Sequence, residues 1–379
     1  MNNKIKILHV QHSISFGGVE RRRLSLGRFL PKERFEQKII CTSKRGNLIE
    51  EIRAEGVEVF EIGELKSPFH WSQHRKVQKI IDKYKPDIIH GAVFEGVSMA
   101  AINGWIKKVP IIIIEETSDP QNRSKKANLL MKIFAKISDK VVGVSQSVVE
   151  DYLKRELKLP SSKVIGVNNG VAFPRDVSRV ELSEVKARLG IKKNDLVIGS
   201  VGRMLHDEHK RFSDLINAFA LIAIDKINIK LLLVGDGPLK DSYEELSREL
   251  NISDKVIFVG YQSDVTLYYK LMDIFALVSA REAFGLVLAE AMLNKLPVIA
   301  TRVGGMKFIV KDGETGFLVK ALNVPEIKEK IEVLSNSLEL RNKMGIAGYE
   351  RAKQEFTEKG YVKKIENLYL NLVENKKKQ

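Results

Sequence analysis

Short β-branched runs alternate with helix-length amphipathic segments along almost the whole chain, and this rhythm runs through twice with a break between. In the first series, residues 4–10, 37–41, 87–90, 111–115, 140–144 and 164–167 read as strands, and 19–30, 46–55, 73–84 and 148–157 carry helical periodicity. A polar stretch at 174–193, with one short amphipathic segment, interrupts the pattern. The second series places strands at 196–199, 230–234, 256–259, 274–277, 298–300 and 316–319. Strands separated by helices need crossover connections, so they pair in parallel and are covered on both faces. The expected fold class is therefore α/β, with two doubly wound Rossmann-like domains at 1–174 and 195–356 joined by a linker at 175–194. A length of 379 residues suits two domains. A last helical pattern at 357–378 follows the second sheet without a third. Ligands of such sheets sit at the carboxyl ends of strands, so functional residues are expected just after them.

Composition narrows the setting. Cys41 is the single cysteine, which excludes an intrachain disulfide and fits a reducing compartment. Apolar runs such as 109–114 are too short to span a bilayer, and the first residues lack a secretory apolar region. The expectation is a cytoplasmic protein. The formal charge of +15 is uneven: residues 1–174 hold 30 Lys/Arg against 19 Asp/Glu, a net of +11, whereas the rest nets +4. A basic first half fits an anionic partner, whether a lipid surface, a nucleic acid or a phosphorylated substrate.

The most specific constellation is Ser279-Ala-Arg-Glu282-Ala283-Phe284-Gly285-Leu286-Val287-Leu-Ala-Glu290-Ala-Met292. A strand ends before it, a loop holds Glu282, and a helix opens near Gly285 with Glu290 on its second turn. Free N–H groups at a helix start suit phosphate oxygens or sugar hydroxyls. A carboxylate accepts two hydrogen bonds from vicinal hydroxyls, and the glycine allows close approach to the backbone. Gly199-Ser-Val-Gly202-Arg203, followed by Lys210, leaves the first strand of the second domain. Two fixed cations there suit an anionic ligand such as a phosphate group. Gly235-Asp-Gly237-Pro follows another strand, but Lys240 stands where a dinucleotide fingerprint needs its third glycine. Gly260-Tyr261 and Gly304-Gly305 also fall at strand ends. In the first domain, Gly17-Gly18 lies between the first strand and first helix, where N–H groups can meet a phosphate group. His90 ends a strand, and Glu115 and Glu116 close the next.

The glutamate pair in this setting resembles the E-x(7)-E signature of the retaining family-four glycosyltransferases of GT-B fold, and the resemblance covers nearly the whole chain. It implies two domains facing across a cleft, with the last helix (357–379) crossing back to the first domain. It also implies transfer of a hexose from a nucleotide-sugar, with a UDP-sugar favoured by family frequency, to a glycan or lipid-linked acceptor of bacterial surface polysaccharide or glycoconjugate. Glu282 and His90 would hold the donor hexose and Glu290 the ribose. Arg203 and Lys210 would steady the leaving diphosphate. Gly17, Gly18, Gly202, Gly237, Tyr261, Ala283, Phe284, Gly285, Leu286 and Val287 would line the donor. The acceptor would attack on the leaving-group side, with a donor phosphate oxygen taking its proton, so no metal or other cofactor and no side-chain base is needed. The chain departs from the family in three places. Arg203 and Lys210 are seven apart rather than five, which makes Arg211 a rival to Lys210; Ala92 stands where many relatives carry a second histidine; and Met306-Lys-Phe replaces the usual residues after Gly305.

Other readings remain open on sequence. A nucleotide-sugar epimerase would share the architecture, and a non-catalytic basic module would leave the two glutamates without a purpose. A nicotinamide oxidoreductase lacks an intact fingerprint. No Asp-x-Asp and no Cys/His cluster of zinc spacing appears in the sequence. Residues 123–137 form a basic amphipathic helix candidate: Leu129, Leu130, Ile133, Phe134 and Ile137 share one face, Lys132 and Lys136 another. Such a helix either packs on the first sheet with its lysines in water or lies on an anionic membrane. Phe69-His70-Trp71 lies in an expected loop that could touch lipid or acceptor. The partners expected are thus the donor, the acceptor and an anionic membrane surface reached through the basic first domain, with peripheral attachment at the inner face; nucleic acid is not expected.

Overall fold

The computed structural model describes residues 4–14, 18–44, 48–120, 123–206, 209–224 and 226–378. The chain divides into two compact units, residues 1–170 with 358–379, and 171–357. Unit 1 runs β1 (Ile5–Ile14), α1 (Gly18–Phe29), β2 (Phe35–Lys44), α2 (Leu48–Ala54), β3 (Glu58–Glu61), α3 (Trp71–Tyr84), β4 (Ile88–Ala92), α4 (Val93–Ile106), β5 (Ile111–Glu116), α5 (Lys125–Ile137) and β6 (Lys140–Gly143). A π-helical segment, Val148–Glu156, and β7 (Val164–Gly166) complete its sheet. Unit 2 runs α6 (Arg179–Arg188), β8 (Leu196–Val201), α7 (Phe212–Ala223), β9 (Ile229–Val234), α8 (Lys240–Glu249), β10 (Val256–Gly260), α9 (Thr266–Tyr269), β11 (Ile274–Leu277), α10 (Leu286–Leu293), β12 (Val298–Thr301), α11 (Met306–Ile309), β13 (Gly316–Val319), α12 (Val324–Ser335) and α13 (Leu338–Glu355). The last helix, α14 (Glu358–Lys377), belongs to unit 1.

Both sheets are parallel and doubly wound, as the alternation of strands and helices predicts. Their orders are β3-β2-β1-β4-β5-β6-β7 and β10-β9-β8-β11-β12-β13. The run Ile111–Ile114 shows why: four consecutive β-branched residues are all buried, which only a strand covered on both faces can accommodate. In unit 2, one apolar cluster holds Phe275, Leu288, Met292 and Phe356, and another holds Phe219, Leu231, Ile274 and Ile331. Residues of the same strands thus alternate between two cores. The polar break in the sequence contains α6, capped by the Ser178 hydroxyl. Its Val185, with Ile191, packs into the unit 2 core.

Helix α14 buries Tyr361, Val362, Ile365, Leu368, Tyr369 and Leu372, a stripe at helical spacing, among Leu26, Leu30 and Phe35. The Ser25 hydroxyl donates to Glu358 at 2.6 Å, and Arg34 pairs with Glu366 at 3.3 Å. The stripe is what assigns this helix to unit 1. Strand β3 is the one strand of the two sheets that the sequence pattern does not reveal. It has four residues, two of them glutamates, and lies at the sheet edge, so it carries no alternation long enough to read. Among the described residues, no helix is long and apolar enough to cross a membrane.

Candidate active site

In unit 2 the strand order reverses at β8 and β11, which lie side by side. Ligands bind at such a switch point, outside the carboxyl ends of the strands. The loops leaving β8, β9 and β10 are knitted together there by main-chain hydrogen bonds. Gly202 N–H donates to Val234 O (3.0 Å), Met204 N–H to Asp236 O (2.9 Å) and Gly235 N–H to Gly260 O (2.9 Å). Gly235 has φ +139°, and a Cβ on it would stand 1.9 Å from the Gly202 carbonyl oxygen, so only glycine fits. Gly237 follows Gly235 in the loop leaving β9, and Tyr261 follows Gly260 with 52% of its surface exposed. Arg203 is exposed, one residue before the fully buried Met204 that anchors its backbone.

The structure separates the two candidate cations after Arg203. Lys210 lays its stem beside Gly202, and its Nζ meets Glu282 Oε2 at 2.5 Å. Both side chains are partly exposed. Arg211 adopts a left-handed backbone (φ 51°) and turns onto the first turn of α7. There its Nε and Nη2 bind the buried Asp214 at 3.0 and 2.7 Å. The cation that reaches the acid is therefore Lys210. The His209 carbonyl accepts Ala280 N–H at 2.8 Å, and the Glu282 carbonyl accepts Gly305 N–H at 3.0 Å. These bonds fix the loop carrying Glu282 from both sides.

Gly285, at φ 102°, turns the chain from that loop into α10. The first N–H groups of a helix have no partner within it, which leaves those of Leu286 and Val287 pointing out of its start. Phe284 is buried edge-on against Phe356 at 5.7 Å and fixes the turn, while Ala283 beside it is only partly buried. Glu290 is backed by Tyr269, a residue that no sequence signal marked: its hydroxyl donates to Glu290 Oε2 at 2.9 Å while the ring is 1% exposed. The switch point thus gathers Gly202, Lys210 and Glu282, with the start of α10 and Glu290 directly following. Such a set can bind an anion through Lys210 and the α10 amides, and polyol hydroxyls through the two carboxylates.

Unit 1 is different. Gly18 opens α1, and Gly17 lies outside the described residues. His90, placed by the sequence at a strand end, is fully buried in β4, with Nδ1 bound to the Tyr369 hydroxyl of α14 at 2.7 Å. Its Nε2 stands 3.6 Å from Glu115. Packing of α14 over the sheet encloses the ring. Glu115 is also enclosed: Arg22 binds it through Nη1, and Arg23 Nη2 lies at 3.4 Å. Glu116 is held by Arg123 at 2.5 Å.

His9 neighbours His90 in register, with ring centroids 5.8 Å apart. Both titrate well below the ordinary histidine range, because burial disfavours the charged ring and Arg23 repels it. The unfolded chain therefore takes up protons below about pH 6.5 that the folded chain refuses. Stability should be fully present above that pH and fall as the pH drops through it, with a slope approaching about 1.4 kcal/mol per pH unit for each histidine. Melting temperatures from pH 7.5 down to 5.0 at constant ionic strength check this, since replacing both histidines by asparagine should flatten the lower part of the curve.

Residues 182–351 match the family model described as glycosyl transferases group 1, and residues 16–173 match that described as glycosyltransferase family 4. The chain is a glycosyltransferase of GT-B fold. Its reaction moves a sugar from a nucleotide-sugar donor to an acceptor. It is 31% identical over 254 residues to the N-acetyl-alpha-D-glucosaminyl L-malate synthase of Bacillus anthracis, an alignment covering 66% of this chain and 64% of that enzyme. It is 26% identical to the UDP-Gal:alpha-D-GlcNAc-diphosphoundecaprenol alpha-1,3-galactosyltransferase of Escherichia coli, over 99% of both chains. The crystal structure of Anabaena Alr3699/HepE in complex with UDP shares the fold, with a TM-score of 0.85 at 21% identity, covering 97% of this chain and all of that one.

Proposed function

We propose that this glycosyltransferase belongs to the retaining family-four enzymes and transfers a hexose from a UDP-sugar to a glycan or lipid-linked acceptor in the synthesis of a bacterial surface polysaccharide or glycoconjugate. The observation that carries this is the Lys210–Glu282 pair beside Gly202, at the switch point of unit 2. Arg203 and Lys210 balance the charge that grows on the departing diphosphate, a task they perform without a metal ion. The Leu286 and Val287 amides at the start of α10 add to that field. Glu282 receives the hexose hydroxyls, and Glu290, oriented by Tyr269, receives the ribose hydroxyls. Gly237 and Tyr261 border the nucleotide. The acceptor attacks on the face the diphosphate leaves, and a phosphate oxygen accepts its proton. His90 has no part in these steps.

Support for the uridine nucleotide comes from the E. coli relative, whose name states a UDP-galactose donor, and from the Anabaena protein, which shares the fold and binds UDP. The diphosphoundecaprenol acceptor of the same relative favours a lipid-linked substrate. The net charge of +11 over residues 1–174 favours peripheral attachment of unit 1 to an anionic membrane at the cytoplasmic face. A thermal-shift panel of UDP, GDP, ADP and their sugars tests the donor. A ligand at about 100 times its Kd should add about 2.7 kcal/mol to stability. UDP and one UDP-sugar should raise the melting temperature while GDP and ADP leave it in place, and a shift with GDP or ADP alone would overturn the assignment. Anomeric proton couplings of the product should show the donor's configuration kept; an inverted product would remove the enzyme from the retaining class.

A further inference from the structure

Helix α5 does not bury the apolar face that its sequence offers. Met131, Phe134 and Ala135 pack inward, while Leu129 and Ile133 stand 60% and 47% exposed. With Ile137 they form a stripe at four-residue spacing along the outside of the helix. That stripe runs into a hollow of about 590 Å³ lined mainly by apolar residues, Ile137, Trp105, Ile106, Val109 and Pro110 among them, with Lys108 and the Asp139–Lys376 ion pair also on its wall. Trp105 is 63% exposed at its rim. The lysines share this outer surface: Lys125, Lys126, Lys132 and Lys136 on α5 and Lys108 beside the hollow are all exposed. None of the five forms an ion pair with a described residue. Helix α5 has no acidic residue, and the acid that follows it, Asp139, already holds Lys376 at 3.1 Å and the Ile112 N–H at 2.7 Å.

Single exposed apolar side chains are ordinary, but a continuous stripe that opens into a largely apolar hollow, among lysines with no ion-pair partner among the described residues, is not. Resting on the reading of unit 1 as the membrane-attached part, we propose that the outer face of α5 and the Trp105 hollow form the surface that docks on an anionic lipid bilayer. The lysines meet lipid phosphates, Leu129 and Ile133 enter the boundary between headgroups and acyl chains, and the Trp105 indole lies at headgroup depth. The helix is built before contact: the Ser124 hydroxyl caps its start, and Lys163 binds the carbonyls of Ala135, Lys136 and Ser138 at its end. Docking therefore needs no folding step.

Flotation of the full chain with vesicles tests this, using phosphatidylcholine alone or with 30% phosphatidylglycerol. The wild-type protein should float with the anionic vesicles, release at high salt and ignore the neutral ones. Leu129→Ser/Ile133→Ser and Lys132→Glu/Lys136→Glu should each lower partitioning at least tenfold, with melting temperature and the UDP-induced shift unchanged. Wild-type flotation that both double variants retain would overturn this surface while leaving membrane attachment in place elsewhere. Failure of the wild-type protein to float on anionic vesicles would overturn both.

Discussion

Glu282→Ala is expected to lower turnover at least about a hundredfold, a loss of about 2.7 kcal/mol of transition-state stabilisation, while the fold stays intact. The carboxylate is the partner of Lys210 at 2.5 Å, so its removal both deletes the hydroxyl acceptor and frees the lysine from its resting position. Folding should tolerate the change, because both side chains are partly exposed and Lys210 can return to water. The loop itself is held by main-chain bonds from Ala280 to His209 and from Gly305 to Glu282, which alanine keeps. Lys210→Ala and Arg203→Ala should each cost a similar factor. The double variant Glu282→Ala/Lys210→Ala should lose less than the product of the single losses, because the two groups touch. Steady-state rates with saturating donor, beside melting curves of each variant, check this. Near-normal turnover in Glu282→Ala would remove it from the site.

Glu115→Ala should destabilise unit 1 by about 3–5 kcal/mol without touching the donor site in unit 2. Its side chain is fully enclosed, and it is the carboxylate that binds both Arg22 and Arg23, themselves 3% and 1% exposed. Removing it takes the shared counter-charge from two interior guanidinium groups, leaving Glu20 as the acid that acts on Arg22, beside His9 and His90, which burial already keeps neutral. The cluster also faces Tyr361 and Tyr369, so its failure should loosen α14 from the sheet. Urea denaturation should show an early transition confined to unit 1, with the UDP-dependent shift of unit 2 preserved. An unchanged midpoint would mean that the arginines find water in place of the acid.

The candidate donor site rests on a local pattern, of the kind a sequence can show by itself. Glu282, Gly285 and Glu290 sit within one strand–loop–helix passage, where spacing alone places a carboxylate before the turn and another on the helix. Features that depend on distant segments were not legible. The choice between Lys210 and Arg211 turns on Asp214 drawing Arg211 away and on Glu282, 72 residues on, receiving Lys210. The burial of His90 is another such feature, because a histidine at a strand end looks the same in sequence whether solvent or a helix covers it; Tyr369, 279 residues later, does the covering. The apolar residues of α5 likewise satisfy a helical period, but packing against Phe94 and the sheet uses Phe134 and leaves Leu129 and Ile133 outside. Tyr269 carries no motif at all, since its role exists only through the side chain of Glu290.

Calorimetric titration of UDP into the wild-type enzyme, Lys210→Ala and Glu290→Gln tests most directly whether the switch point of unit 2 holds the donor nucleotide. One saturable site is expected in the wild-type protein, with affinity reduced at least tenfold in each variant, through the diphosphate in the first and the ribose in the second. Equal affinity in all three proteins would contradict the account.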